Sequence, residues 1–386
     1  MWNNNPFIVI RTIFLDINNY KIVKFCYVSL TVFYSLVHCL QFYYIIKNFN
    51  LNLIIRYGFI TSLLSYVLAA GILSLVVEKR IRKTQIFFDE IGWSLNIVGK
   101  DAEMKLEKKC KLINISIYAI MLFLVITLLV NLPFVGSQRD LFLSIQVFEE
   151  YFGKWSEILD RLYFTLAPFL SYHGARLSFT CIYAILQVQV QFSLIGEYLF
   201  ETYQVDDSKS WKYLQDTRYQ HDIGESLRLC VEHHVALKKS IKMMVDVALT
   251  CLPFLVLLGL STLISCLAFI MNFWDTMDNI LKLRIFMWAA WIVLITIMFC
   301  RSGQQLIDAT SDIFFTLGGA PWYYWNLDNI KILLTFMANS TKNDSISLAG
   351  ICLDYPLFVS VANTTVSYAL VLYNLRESSL DSSNKK

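Results

Sequence analysis

The stretch YPLFVSVANTTVSYALVLYNL, residues 355–375, decides the fold. It lies between Asp354 and Arg376, and its 21 residues carry no charge. A helix needs about 20 apolar residues to cross the hydrocarbon core of a bilayer. The segment is not uniformly apolar. Ser360, Asn363, Thr364, Ser367 and Asn374 recur at three- and four-residue spacing and share one helical face. Val371 interrupts that line, and Leu375 follows one turn on. Leu357, Val359, Ala362, Val366, Leu370 and Tyr373 occupy the other side. Two readings stand at this point. The polar line with its apolar interruption suits the wall of a water-filled pore with a hydrophobic constriction. The same small hydroxyl and amide residues also suit packing against neighbouring helices.

The rest of the chain repeats the theme. Of its 386 residues, 56% are hydrophobic and only 16% charged, against about 25% charged in soluble domains. The deficit reads as an integral membrane protein. Charge-free runs separate Lys24 from Lys47, Arg56 from Glu78, Lys111 from Arg139, Arg176 from Glu197, Asp246 from Asp275, and Arg284 from Arg301. With the stretch above they make seven spans. The sixth encloses only 16 residues, and Lys282 and Arg284 complete it by snorkelling. Pro133 is expected to end the third span. Residues 162–175, with Pro168 and Gly174, are too short to cross. They read as the approach to the fourth span, or as its extension out of the membrane.

Orientation follows the Lys/Arg bias of the loops. Residues 78–111 hold nine basic side chains and residues 196–244 hold seven, Lys209 and Lys212 among them; residues 133–168 hold three. The loops after the second and fourth spans are therefore expected in the cytoplasm, with the N-terminus inside and the C-terminus outside. The apolar start at residues 7–10 is broken by Arg11 and Asp16, so no cleavable signal peptide is expected. Asn339 and Asn343, between the last two spans, are glycosylation sequons that this topology leaves bare. Asn114 and Asn363 head sequons within spans. The nine cysteines are scattered singly and suggest neither a disulfide framework nor a metal site.

Two further segments read as helices outside the bilayer. In residues 197–242, Leu227, Cys230, Val231, His234 and Leu237 share a face, as in a helical extension below the membrane. Residues 325–337 form a short amphipathic helix with a stripe of Ile330, Leu333, Leu334 and Met337, suited to packing on a partner helix or another subunit.

Three motifs carry a resemblance to the insect odorant receptors of the odorant/gustatory ligand-gated channel superfamily. They are CVEHHVALKKSIKMM at 230–244; CRSGQQLIDAT at 300–310 with PWYYW at 321–325 and LLTFMANSTK at 333–342; and VSYALVLYNLR at 366–376. The last is similar to the family's closing pattern of Thr/Ser-Tyr, five apolar residues, Gln, then Phe/Leu. Ser367 and Tyr368 match its start, Asn374 stands where Gln is usual, and Leu375 closes it. The resemblance implies an all-α polytopic membrane protein whose last helix lines the central pore of a tetramer. Residues 1–321 would hold six spans and the odorant pocket, and residues 322–386 a cytoplasmic anchor helix and the pore helix. It also implies Val371 and Leu375 as the hydrophobic gate and Asn374 as the polar ring beside it, with Ser367 and Tyr368 in the pore region.

Asn374 for Gln, and the lack of a long second cytoplasmic insert, point to a tuning subunit that works with the shared co-receptor. Its implied partners are that co-receptor, a small volatile odorant, permeating cations and the lipid bilayer of an olfactory dendrite, with no nucleic acid and no cofactor. The implied pocket lies among the second, third, fourth and sixth spans, in the outer half of the membrane. Its candidates are Tyr57, Ile60, Leu64, Phe123, Thr127, His173, Phe179, Trp288 and Trp291, although aromatic residues at such positions also serve as belt or core.

Catalysis finds little support. His233 and His234 are adjacent, pointing about 100° apart on a helix, which makes no two-ligand metal face. No GxSxG, P-loop or HExxH pattern occurs. Asp160-Arg161 falls on the expected outer side and the last span lacks NPxxY, which argues against a G-protein-coupled receptor. A gustatory receptor for a soluble tastant and a secondary transporter remain as alternatives. A transporter would need paired discontinuous spans and buried charge.

Overall fold

The computed structural model describes residues 5–132, 139, 141–203, 213–341, 347–348 and 351–384. Pro133, Lys209, Lys212 and Asn343 lie outside the described residues. The described chain forms helices α1 (Ile8–Phe14), α2 (Lys21–Lys47), α3 (Leu51–Ile91), α4 (Lys100–Val130), α5 (Leu143–Phe152), α6 (Ser156–Thr202), α7 (Thr217–Phe273), α8 (Asn279–Gly318), α9 (Leu327–Ser340) and α10 (Tyr355–Asn384). Among them, α2, α3, α4, α6, α7, α8 and α10 are long and apolar enough to cross a membrane. Each carries one charge-free run. The fold is all-α apart from a two-residue antiparallel ladder, Ser347–Leu348 with Ile351–Cys352, just before α10.

The bundle is built around α6. This helix continues through Pro168 and spans 47 residues, so residues 162–175 are its extension. Nearly every side chain between His173 and Ile195 is buried. Helix α3 approaches closely at Gly174, where a Cβ would stand 2.7 Å from Val67 Cγ1 and 3.1 Å from the Val67 carbonyl oxygen. Small residues at such crossings let helix backbones meet in lipid, where van der Waals packing replaces the hydrophobic effect as the driving force. The Gln187-Val-Gln-Val-Gln191 alternation would suit a strand, yet all five side chains are buried in α6. Gln187 donates to the Tyr183 hydroxyl at 2.5 Å. Gln191 accepts from the Trp93 amide and donates to the Trp93 carbonyl.

The apolar start is part of the same core. Phe14 of α1 stacks on Phe179 of α6, 4.6 Å between centroids. Arg11 grips Asp89 of α3 with two hydrogen bonds of 3.0 and 2.8 Å. Arg176 donates to the Phe14 carbonyl, which satisfies part of a guanidinium that would be costly to bury alone.

A second core holds the lower ends of α6, α7 and α8 together with α9. Leu227, Cys230, His234 and Leu237 are buried there on one face of α7. The stripe of α9 differs from expectation: Asn329, Leu333, Phe336 and Ser340 face inward, while Leu334 is 59% exposed. Polar anchoring sets that rotation. Asn329 donates to the Gln220 carbonyl at 2.7 Å, and Gln220 donates to the Tyr324 carbonyl at 2.8 Å. Phe336 meets the ring of His234 at 5.1 Å. The inward face of α9 is thus filled by its own chain.

His233 and His234 lie in the part of α7 that precedes the charge-free run after Asp246. Trp93 stacks on His233 at 4.1 Å, and Gln191 bonds its Nε2 at 2.9 Å. Burial pushes the pKa of His233 down to about 3 and that of His234 down to about 4, with the neighbouring His234 and Lys238 respectively adding to the effect.

Candidate functional site

Helix α10 has little company. It packs on α7 and α8 along a line of Val361, Thr365, Ala369, Leu372 and Arg376, with Thr365 and Ala369 buried; Leu357, Phe358, Thr364 and Tyr373 are partly covered as well. That line is small-residue rich, and reading polar and apolar sides alone does not find it. Ser360, Asn363, Ser367, Tyr368, Val371, Asn374 and Leu375 are all exposed. So are Val359, Ala362, Val366 and Leu370 on the neighbouring apolar line. The hydroxyls of Thr364 and Ser367 donate to the carbonyls one turn back. Helix packing within this chain therefore does not account for Ser360, Asn363, Ser367 and Asn374.

Both ends of α10 are pinned. At its start, Asp354 accepts from the Leu357 amide at 3.1 Å. Gly303 of α8 sits so close that a Cβ there would fall 1.9 Å from the Leu353 carbonyl oxygen. Near its far end, Arg376 donates to the Asn272 carbonyl at 2.8 Å, to the Asn272 side chain at 3.0 Å and to Asn52 at 2.9 Å. Its guanidinium also lies 4.4 Å from the ring of Phe273. The exposed Val371 and Leu375 fall in the last turns before this clamp. Sequence reading used Gly303 and Arg376 only as motif and boundary. A glycine within an apolar helix and a lone cation ending a span were the available signals.

Of the nine pocket candidates, the structure brings Ile60, Leu64 and Trp288 to one cavity of about 70 Å³ among α3, α4, α6 and α8. Tyr34, Phe142, Tyr163 and Phe164 add aromatic walls. Trp291, three residues from Trp288, lines a different cavity of about 140 Å³ between α3, α7, α8 and α10. The two indoles meet edge to face at 6.4 Å, and Leu63 borders both spaces. Phe179 lines a third space with Met121, Tyr172 and the Phe14 that stacks on it.

The other four candidates line none of these. Tyr57 is buried against α5, accepting from Gln146 at 2.6 Å and donating to the Arg139 carbonyl. Thr127 donates to the Phe123 carbonyl one turn back, and Phe123 packs at the edge of the main core. His173 stacks on Tyr27 at 4.3 Å. Trp288 and Trp291 share one property: each indole N–H is buried without a hydrogen-bond partner among the described residues. An unmet buried donor is costly in itself and marks a place where an acceptor would be favourable.

No family model matches the chain, and no curated protein does. Its fold does match solved structures. The insect olfactory receptor OR5 from Machilis hrabei is similar over 91% of this chain and 88% of that one, with a TM-score of 0.67 and 11% identity. The same receptor in complex with eugenol is similar over 88% of each chain, with a TM-score of 0.56 and 12% identity. The chain therefore has the fold of an insect olfactory receptor.

Proposed function

We propose that this chain is the odorant-binding subunit of a ligand-gated, non-selective cation channel. It would reside in the plasma membrane of an olfactory dendrite and assemble with the odorant co-receptor into a tetramer. The observation that carries the reading is α10: an apolar helix with a line of Ser, Asn and Tyr that its own chain leaves uncovered. In an assembly that places α10 at the axis, this line faces water. Val371 and Leu375 then form the constriction that closes by dewetting, with Asn374 the polar ring between them. In this reading the basic ends of α3 and α7 face the cytoplasm. Residues 322–386 would work as anchor and pore, and residues 1–321 as ligand-binding body.

The odorant site in this reading is the cavity of Ile60, Leu64 and Trp288. Its aliphatic and aromatic walls favour a volatile over a soluble tastant. Its void of about 70 Å³ is small, since a cavity of about 150 Å³ holds one benzene ring. An odorant must therefore displace side chains to enter. It shifts the channel only by its preference for the rearranged state. Co-expression with the co-receptor and a panel of volatiles tests the proposal. Odorant-evoked current with discrete single-channel openings supports it. A small current without discrete openings, tied to substrate uptake, overturns it in favour of transport.

A further inference from the structure

The second cavity lies directly behind α10. Gly259 and Thr262 of α7, Trp291 and Thr296 of α8, Val361 of α10, Tyr66 of α3 and Ser178 of α6 line it. Its volume of about 140 Å³ is close to the roughly 150 Å³ of an apolar cavity that binds benzene. A molecule in it would touch α7, α8 and α10 together. The hydroxyls of Thr262 and Thr296 already donate to carbonyls of their own helices. Trp291, itself 7% exposed, contributes an N–H with no acceptor among the described residues. The walls are largely apolar, and the Trp291 N–H is the buried donor among the lining residues that has no acceptor.

We propose that this cavity is a second ligand site, for a neutral single-ring or short-chain molecule carrying one oxygen acceptor such as a phenol, ether or ketone. Trp291 Nε1–H donates to that oxygen, and the ring fills the space beside Gly259. The site is distinct from the Ile60–Leu64–Trp288 cavity, with Leu63 bordering both, and its existence does not rest on the proposed channel function. An occupant makes contacts that depend on where α10 sits, so binding and the position of α10 are linked.

Binding to the purified full chain in lipid nanodiscs tests this without reference to current. The probe is meta-azidophenol, photolysed and mapped by peptide mass spectrometry, with phenol and benzene as competitors. Labelling is expected on the peptides around Gly259 and around Trp291 to Cys300, with both competitors reducing it. Trp291→Phe removes the donor and keeps a ring. It should weaken competition by phenol roughly two- to tenfold, the net worth of one hydrogen bond, and leave benzene unchanged. Gly259→Leu should abolish the labelling by filling the space. A Cβ at 259 meets nothing closer than Tyr66 at 3.7 Å, so the larger side chain extends into the void. Val361→Phe fills the same space from α10 and serves if the first variant does not fold. Labelling confined to the exposed Phe254 and Leu257, indifferent to these filling variants, would show lipid partition only and overturn the site. So would phenol and benzene competing equally well before and after Trp291→Phe.

Discussion

Gly303→Ala is the sharpest test of how α10 is held. The added methyl would stand 1.9 Å from the Leu353 carbonyl oxygen, 2.9 Å from its carbon and 3.1 Å from Leu353 Cβ. The obstacle is backbone, and it leads directly into the first turn of α10, so no side-chain rotation relieves it. Overpacking of this kind costs about 1–3 kcal/mol and sometimes more; a backbone clash belongs at the upper end. Helix propensity works in the opposite sense, favouring Ala over Gly by about 1 kcal/mol. The net expectation is destabilisation by about 2 kcal/mol. Gly196→Ala in α6 is the control, since nothing lies within 4 Å of a Cβ there. It keeps the propensity gain without the clash. At about 2.1 cal/mol/K of unfolding entropy per residue, 1 kcal/mol moves the Tm of a 386-residue chain by about 1.2 °C. Heating the purified full chain and following its monodisperse peak by fluorescence-detected size exclusion should therefore separate the two. Gly303→Ala should melt about 2–3 °C below the parent, and Gly196→Ala at or above it. A Gly303→Ala protein as stable as the parent would refute the close packing of α8 on the start of α10.

Further predictions concern the gate, the ligand and pH. Val371→Ser or Leu375→Ser should raise basal current without odorant, because a hydroxyl wets the constriction; silence in both variants, at normal surface expression, removes these residues from the gate. Trp288→Phe should raise the EC50 of an oxygenated odorant about two- to tenfold and leave a hydrocarbon of the same skeleton unaffected; equal shifts for both would show that the indole N–H is not the donor. His233 and His234 are held neutral by burial, so the unfolded chain binds more protons below its ordinary histidine value of about 6.5. Thermal stability should hold from pH 8 to pH 7 and fall as pH drops through about 6. His233→Phe, which keeps the stack on Trp93, should flatten that decline; an acid limb identical to the parent's would contradict the assignment.

Much of the fold was legible because lipid imposes a coarse rule. A charge inside a span is costly, so runs between charges mark the helices. Seven runs correspond to seven helices, and even the short run after Arg284 lies in a helix of 40 residues. The centrality of α6 was not legible, since hydropathy does not distinguish protein from lipid as the apolar neighbour. The same limit hid the line by which α10 packs: Thr365 and Ala369 look no more buried than Thr364 or Ala362. Leu334 was misplaced because α9 is turned by Asn329 and Phe336, one bonded to Gln220 and the other set against His234. Among the pocket candidates, Trp288 and Trp291 do lie on one face by spacing, yet the wall they form divides two cavities. Spacing reports a shared face and not the space behind it. Residue type alone points to Tyr57, Thr127 and His173, and none of the three lines these cavities.

The account rests on water reaching the exposed polar line of α10 in the assembled channel. Single cysteines at Ser360, Ser367 and Asn374, and at Thr365 and Ala369 on the bundle side, provide the direct test with a charged, water-borne methanethiosulfonate applied during odorant-evoked current. The first three should be modified with a change in current, and the last two should not. Equal indifference at all five positions while the channel is held open would contradict the account.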